Sequence, residues 1–204
     1  MKESALPSYD DPIIRNLVKL YFQENFSAQV FLEECERQGR RLVIDHVAVR
    51  CLNVDRRAEE FLKIGYVYHG EIIEYPDQGW WAKVYRKSGA PALFIDQAYD
   101  DPRGEKSIIP QWVQRFGDQV LHHAAVLVDN IEEVVSLLQS RHIEFSGAII
   151  GSPGSRLRQV FTAAEEKQGA PYTVLELTER NAYDGFYPDQ ANRLMQSSTK
   201  IRTR

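Results

Sequence analysis

His46-Val47-Ala48-Val49-Arg50-Cys51-Leu52-Asn53 and His123-Ala124-Ala125-Val126-Leu127-Val128-Asp129-Asn130 share His, Ala, Val and Asn at the same four of eight offsets, 77 residues apart. The first octet lies in an apolar run, Leu42–Arg50, whose β-branched residues suit a mostly buried strand, and Leu121–Asp129 reads as a second. The order of elements around the octets also repeats. After the first, Asp55 is expected to cap a helix carrying Ala58, Phe61 and Leu62, which Gly65 ends in the left-handed conformation. Strands are expected near 66–75, 80–86 and 92–97. After the second, Asn130 can cap a helix with Ile131, Val134, Val135 and Leu138 at i, i+3, i+4 and i+7, with Glu132 and Glu133 near its positive end. Strands then follow at 143–150, 156–163 and 172–178. Each half alone would leave one sheet face uncovered, so the pattern predicts an α+β protein of two βαβββ modules.

The remaining chain falls around this repeat. Residues 11–39 carry Ile13, Ile14, Leu17, Val18, Tyr21, Phe22, Val30, Phe31 and Cys35 at helical spacing, with Pro12 suited to a first turn. The expected organisation is an N-terminal helical segment (1–41), a first module (42–99), a polar connector with Pro102, Gly104 and Pro110 (100–120), a second module (121–180) and a tail (181–204). With 204 residues, 43% of them hydrophobic, the chain can bury a core, which argues against disorder. The net charge of −4 gives no support to nucleic-acid binding. The longest apolar runs are too short to span a membrane, and Met1-Lys2-Glu3-Ser4 has no signal-peptide apolar region. Cys35 and Cys51 read as reduced thiols, and a cytoplasmic protein is expected.

Metal chemistry needs few, convergent, deprotonated ligands. His46 and His123 occupy equivalent places in the two modules. Glu176 shares one strand face with Tyr172, Val174 and Thr178, while Leu175 and Leu177 take the other. A carboxylate in that setting is costly to bury without a partner. Two imidazoles and one carboxylate form the facial set that leaves positions open on non-haem Fe(II), and they also hold zinc, manganese or nickel. Alternation predicts that His122 faces away from His123. Arg50 lies four residues after His46 on the same face, about 13 Å along the strand. Its guanidinium needs an anion, either a substrate carboxylate or a protein acid. Gln159 offers a donor and an acceptor, and Asp96 is a candidate contact for a ligand or substrate. Glu179 is expected to pair in solvent, and His69 and His142 to lie at turns. Tyr183, Phe186 and Tyr187 suit either a cavity cover or packing on the N-terminal helices. One of Trp80 and Trp81 is expected to face inward.

From about residue 42 to 180 the pattern resembles the vicinal-oxygen-chelate superfamily, in which paired βαβββ units enclose a metal cavity. Ile44-Asp45-His46-Val47-Ala48-Val49-Arg50, the His122-His123 pair, and Val174-Leu175-Glu176-Leu177-Thr178-Glu179-Arg180 followed by Gly185-Phe186 are most similar to the 2-oxoadipate dioxygenase/decarboxylase (hydroxyglutarate synthase) family. Leu157-Arg158-Gln159-Val160-Phe161 also looks like the glutamine-bearing strand of 4-hydroxyphenylpyruvate dioxygenase. The resemblance implies His46, His123 and Glu176 as ligands of Fe(II), Arg50 as the substrate-carboxylate arginine, and a 2-oxo acid and O2 as reactants. Alternatives on the same fold are a redox-inactive isomerase, lyase or hydrolase using zinc, nickel or manganese, and a metal-free small-molecule binder. A homodimer is compatible with either.

Overall fold

Asp11 accepts hydrogen bonds from the amides of Ile13 and Ile14, and with Pro12 in the first turn it starts α1 (Pro12–Glu24). The computed structural model describes residues 6–201, so the Met1–Ser4 start and the last residues of the tail lie outside the described residues. The N-terminal helical segment is two helices, as expected. Asn25 has extended backbone, ends α1, and accepts from the Ala28 amide to cap α2 (Phe26–Arg37).

The first module runs β1 (Ile44–Arg50), α3 (Val54–Lys63), β2 (Val67–Tyr75), β3 (Trp80–Arg86) and β4 (Ala92–Ala98). A short 3-10 turn and α4 (Ile109–Phe116) follow. The second module holds β5 (Leu121–Leu127), α5 (Ile131–Ser140), β6 (Leu157–Phe161), a small hairpin of β7 (Glu166–Lys167) and β8 (Ala170–Pro171), and β9 (Val174–Arg180). The chain then forms α6 (Pro188–Gln196). The shared asparagine of the two octets has a structural reason: Asn53 accepts from the Arg56 amide and Asn130 from the Glu133 amide, so each caps its module's helix. Asp55, the expected cap, lies inside the first turn of α3 instead.

Two further expectations change. Residues 143–150 form no strand and pair with the sheet through isolated bridges at Phe145 and Ile150. There Ser146 turns its amide and hydroxyl to the Phe161 carbonyl, and its hydroxyl also meets that of Ser197. The connector is not merely polar loop. Pro110 sits in the first turn of α4 rather than breaking it, and Ile109 and Trp112 are buried.

The main strands form one seven-stranded sheet in the order β2-β3-β4-β1-β5-β9-β6. At its centre β1 and β5 pair antiparallel and join the modules, while β1–β4 and β5–β9 are parallel. Strand alternation sorts the side chains. Val47, Val49, Ala124, Val126, Leu175 and Leu177 pack in the outer core with α1, α2, α3 and α5. Ala48, Phe94, Phe161 and Val174 face the inner core, where α6 packs.

Candidate metal centre

The inner face carries His46, Ala125 and Glu176 in one row, since His46 pairs with Ala125 across β1 and β5, and Ala125 with Glu176 across β5 and β9. His123 lies two residues from Ala125 on that face. The alanine methyl leaves a gap between imidazole and carboxylate. Across it His46 Nε2 is 3.2 Å and His123 Nε2 3.6 Å from Glu176 Oε2. One donor atom from each of the three lies within 4.8 Å of the others, and all three side chains are buried. At metal–ligand distances near 2.1 Å, ligands at a right angle stand about 3 Å apart, so these separations suit one small divalent cation.

The other atoms of the ligands are already engaged. Gln159 Nε2 and Thr178 Oγ1 each donate to Glu176 Oε1 at 2.7 Å, leaving Oε2 directed at the imidazoles. Gln159 Oε1 accepts from Gln190 on α6 at 3.3 Å. His46 Nδ1 is 2.7 Å from Asp45 Oδ2, and Arg180 grips Asp45 with Nε at 2.6 Å and Nη2 at 2.9 Å. Burial would raise the Asp45 carboxyl, but His46 and Arg180 hold it well below its ordinary range. Burial would lower His46, but Glu176 and Asp45 lift it to about 9. His123 is pushed down to about 3 by burial, despite Glu176. Glu176 itself lies below its usual value because the imidazoles outweigh its desolvation.

His122 does not face away from His123, as strand alternation had predicted. Ala48 pairs with His123 but Val49 with Leu121, so His122 is the extra residue of a β-bulge, and its Nδ1 lies 3.0 Å from His123 Nδ1. For His123 to offer Nε2 to a cation, its Nδ1 must carry the proton and donate it to His122.

Arg50 is buried, yet it lines a neighbouring chamber of about 180 Å³ with His122, Trp112, Phe116 and Arg115. The candidate metal cavity is lined instead by Asp96, Trp80, Tyr75 and Phe94, together with His46, His123 and Glu176. Of the tryptophan pair it is therefore Trp80 that faces inward. Phe186 closes the cavity, with its ring 5.2 Å from that of His46, as do Ala191, Leu194 and Met195 of α6. The space left is about 20 Å³, room for one water-sized group. Tyr183 and Tyr187 stack on each other, and Tyr187 is exposed. Glu179, expected in solvent, accepts from the Ile131 amide at the start of α5 and pairs with Arg158. His69 and His142 are exposed.

No protein-family model matches this sequence, and no curated protein matches it significantly. Solved structures do. A protein of Shewanella frigidimarina NCIMB 400, provisionally named a hydrolase, superposes with a TM-score of 0.72 at 18% identity over 90% of this chain and 99% of its own. A glyoxalase-superfamily protein, also provisionally named, from Ralstonia eutropha JMP134 gives 0.63 at 13% identity over 89% and 90%. A mutant 4-hydroxymandelate synthase of Streptomyces coelicolor gives 0.62 at 23% identity over 78% of this chain and 55% of its own.

The chain has the vicinal-oxygen-chelate fold. In this vicinal-oxygen-chelate sheet the candidate ligands come from both modules, His46 from the first and His123 and Glu176 from the second. The sequence reading missed Asp45, Arg180 and Gln190. Asp45 turns toward His46 through a bulge that no residue pattern marks. Gln190, on a separate helix, left no signal either.

Proposed function

We propose that this protein is a non-haem Fe(II)-dependent dioxygenase/decarboxylase acting on a small 2-oxo acid with a second carboxylate. The observation that carries the reading is the convergence of two imidazole Nε2 atoms and one carboxylate oxygen on one buried point, each ligand oriented by a hydrogen bond from behind. His46, His123 and Glu176 would hold the iron, and a 2-oxo acid and O2 would react there. The chemistry supplied with iron(II) bound is O2 activation coupled to decarboxylation, in which a 2-oxo acid and O2 give a hydroxylated acid one carbon shorter and CO2.

The chain's own residues position the reactants. Gln159 and Thr178 occupy one oxygen of Glu176 and so present the other to the cation. Asp45 keeps the His46 ring oriented through Nδ1. Arg50 supplies the far anchor. Its Nε and Nη2 are buried without partners among the described residues, and these are the two atoms through which Arg180 grips the carboxylate of Asp45. The same fork on Arg50 suits the distal carboxylate of a diacid. Phe186 and α6 exclude water from the cavity and must shift to admit substrate.

The test is anaerobic loading with Fe(II), followed by air-saturated buffer and 2-oxoadipate. Oxygen uptake with stoichiometric CO2 release is expected, and both cease in Glu176→Ala. Absence of oxygen uptake across a panel of 2-oxo acids, with iron shown to be bound, overturns the reading.

A further inference from the structure

Three side chains of the inner face are buried with polar atoms that have no hydrogen-bonding partner among the described residues: Arg50 through Nε and Nη2, Asp96 through Oδ2 and Trp80 through Nε1. They form a row. Arg50 pairs with Asp96 across β1 and β4, Asp96 pairs with Ala82 across β4 and β3, and Trp80 is two residues from Ala82 on the same face. Exposure is 2% for Arg50, 2% for Asp96 and 1% for Trp80. Arg50 opens on the chamber, and Asp96 and Trp80 on the metal cavity among Tyr75 and Phe94.

The Arg50 fork is accounted for by a far carboxylate, but Asp96 and Trp80 are not. A diacid with a plain methylene chain would leave a buried acceptor and a buried donor unmatched, which is costly. An amino group would answer Asp96 but not the indole N–H. A hydroxyl answers both, donating to Asp96 Oδ2 and accepting from Trp80 Nε1. We propose that Asp96 and Trp80 select a substrate bearing a hydroxyl group on the chain between its 2-oxo acid head and its far carboxylate. This rests on the 2-oxo acid reading above and narrows it to hydroxylated 2-oxo diacids.

The experiment uses the full chain loaded with Co(II), whose visible absorption reports ligand binding. It is titrated with 2-oxoglutarate against 4-hydroxy-2-oxoglutarate, and with 2-oxoadipate against 4-hydroxy-2-oxoadipate. In at least one pair the hydroxylated acid should bind about tenfold tighter or more, because the site's polar groups go unmatched in the analogue that lacks the hydroxyl. Trp80→Phe and Asp96→Leu should each bring that ratio close to one. Equal affinities in the unaltered protein overturn this inference alone, and so does a preference that survives both substitutions. If none of the four acids perturbs the Co(II) spectrum, the 2-oxo acid reading falls and this inference with it. The comparison within the unaltered protein decides the matter even where a variant fails to fold.

Discussion

Asp45 Oδ2 lies 2.7 Å from His46 Nδ1, although neighbours on a regular strand face opposite ways. The cause is a bulge: Ile44 pairs with Val126 but His46 with Ala125, which leaves Asp45 as the extra residue of β1. His122 holds the corresponding place beside His123 on β5. His46 and His123 are thus both held from behind by the residue before them, one by a carboxylate and one by a neutral ring. Asp45→Asn should weaken Co(II) binding about 10- to 100-fold, since the hydrogen bond survives and the charge does not. His122→Ala should weaken it less. Equilibrium titration against a competing chelator reads both, and unchanged affinity in Asp45→Asn would remove Asp45 from the centre's support.

Ala125 keeps open the gap across which His46 meets Glu176. Ala125→Leu should abolish Co(II) binding, at an overpacking cost of about 1–3 kcal/mol. Circular dichroism confirms the fold in the same sample. Retention of Co(II) by a folded Ala125→Leu protein contradicts the placement of the ion in that gap.

Phe186 and α6 leave almost no free volume over the ligands. Phe186→Ala should speed removal of bound metal by EDTA at least several-fold and lower the unfolding free energy by roughly 3 kcal/mol. Stopped-flow chelation and urea denaturation give the two numbers separately. An unaltered release rate would mean that the cation leaves by another route.

Burial raises the Asp96 carboxyl to about 7, with Arg50 and His46 opposing. Its value in the unfolded chain is about 3.9. Between the two, the folded protein binds a proton that the unfolded chain has released. This contribution to stability is therefore complete below the lower value and lost as pH rises through the upper one. Asp96→Asn removes it, so the Tm advantage of the variant over the parent, both metal-free, should grow from pH 4 to pH 7 and then level off. A constant difference across that range excludes Asp96 as the group responsible.

Asn53 and Asn130 cap α3 and α5. Replacing either with Ala should cost about 1 kcal/mol, and Asn→Asp almost nothing. The shift in urea midpoint measures it, and no loss at either position would remove capping as the reason for the shared asparagine.

Much of this molecule was legible in its residues because two physical periods dominate it. Alternation along Val174–Thr178 put Glu176 and Thr178 on the face opposite Leu175 and Leu177, and the matched octets paired His46 with His123. Reading failed where the period breaks. Bulges at Asp45 and His122 add one residue each and reverse the expected facing, a change of backbone register that composition does not encode. The run 143–150 is apolar enough for a strand, but it makes only isolated bridges, at Phe145 and Ile150. Arg50 was placed on the right face, yet its guanidinium lies in a chamber built by α4, from a stretch whose prolines suggested only a connector.

The antiparallel seam of β1 and β5 divides custody of the centre, with one histidine on one side and the remaining ligands on the other. An ion seated there works as a clasp. Loading it should raise the cohesion of the two repeats as a unit, and a chain nicked between Ala98 and Leu121 should capture the ion only while its fragments stay associated.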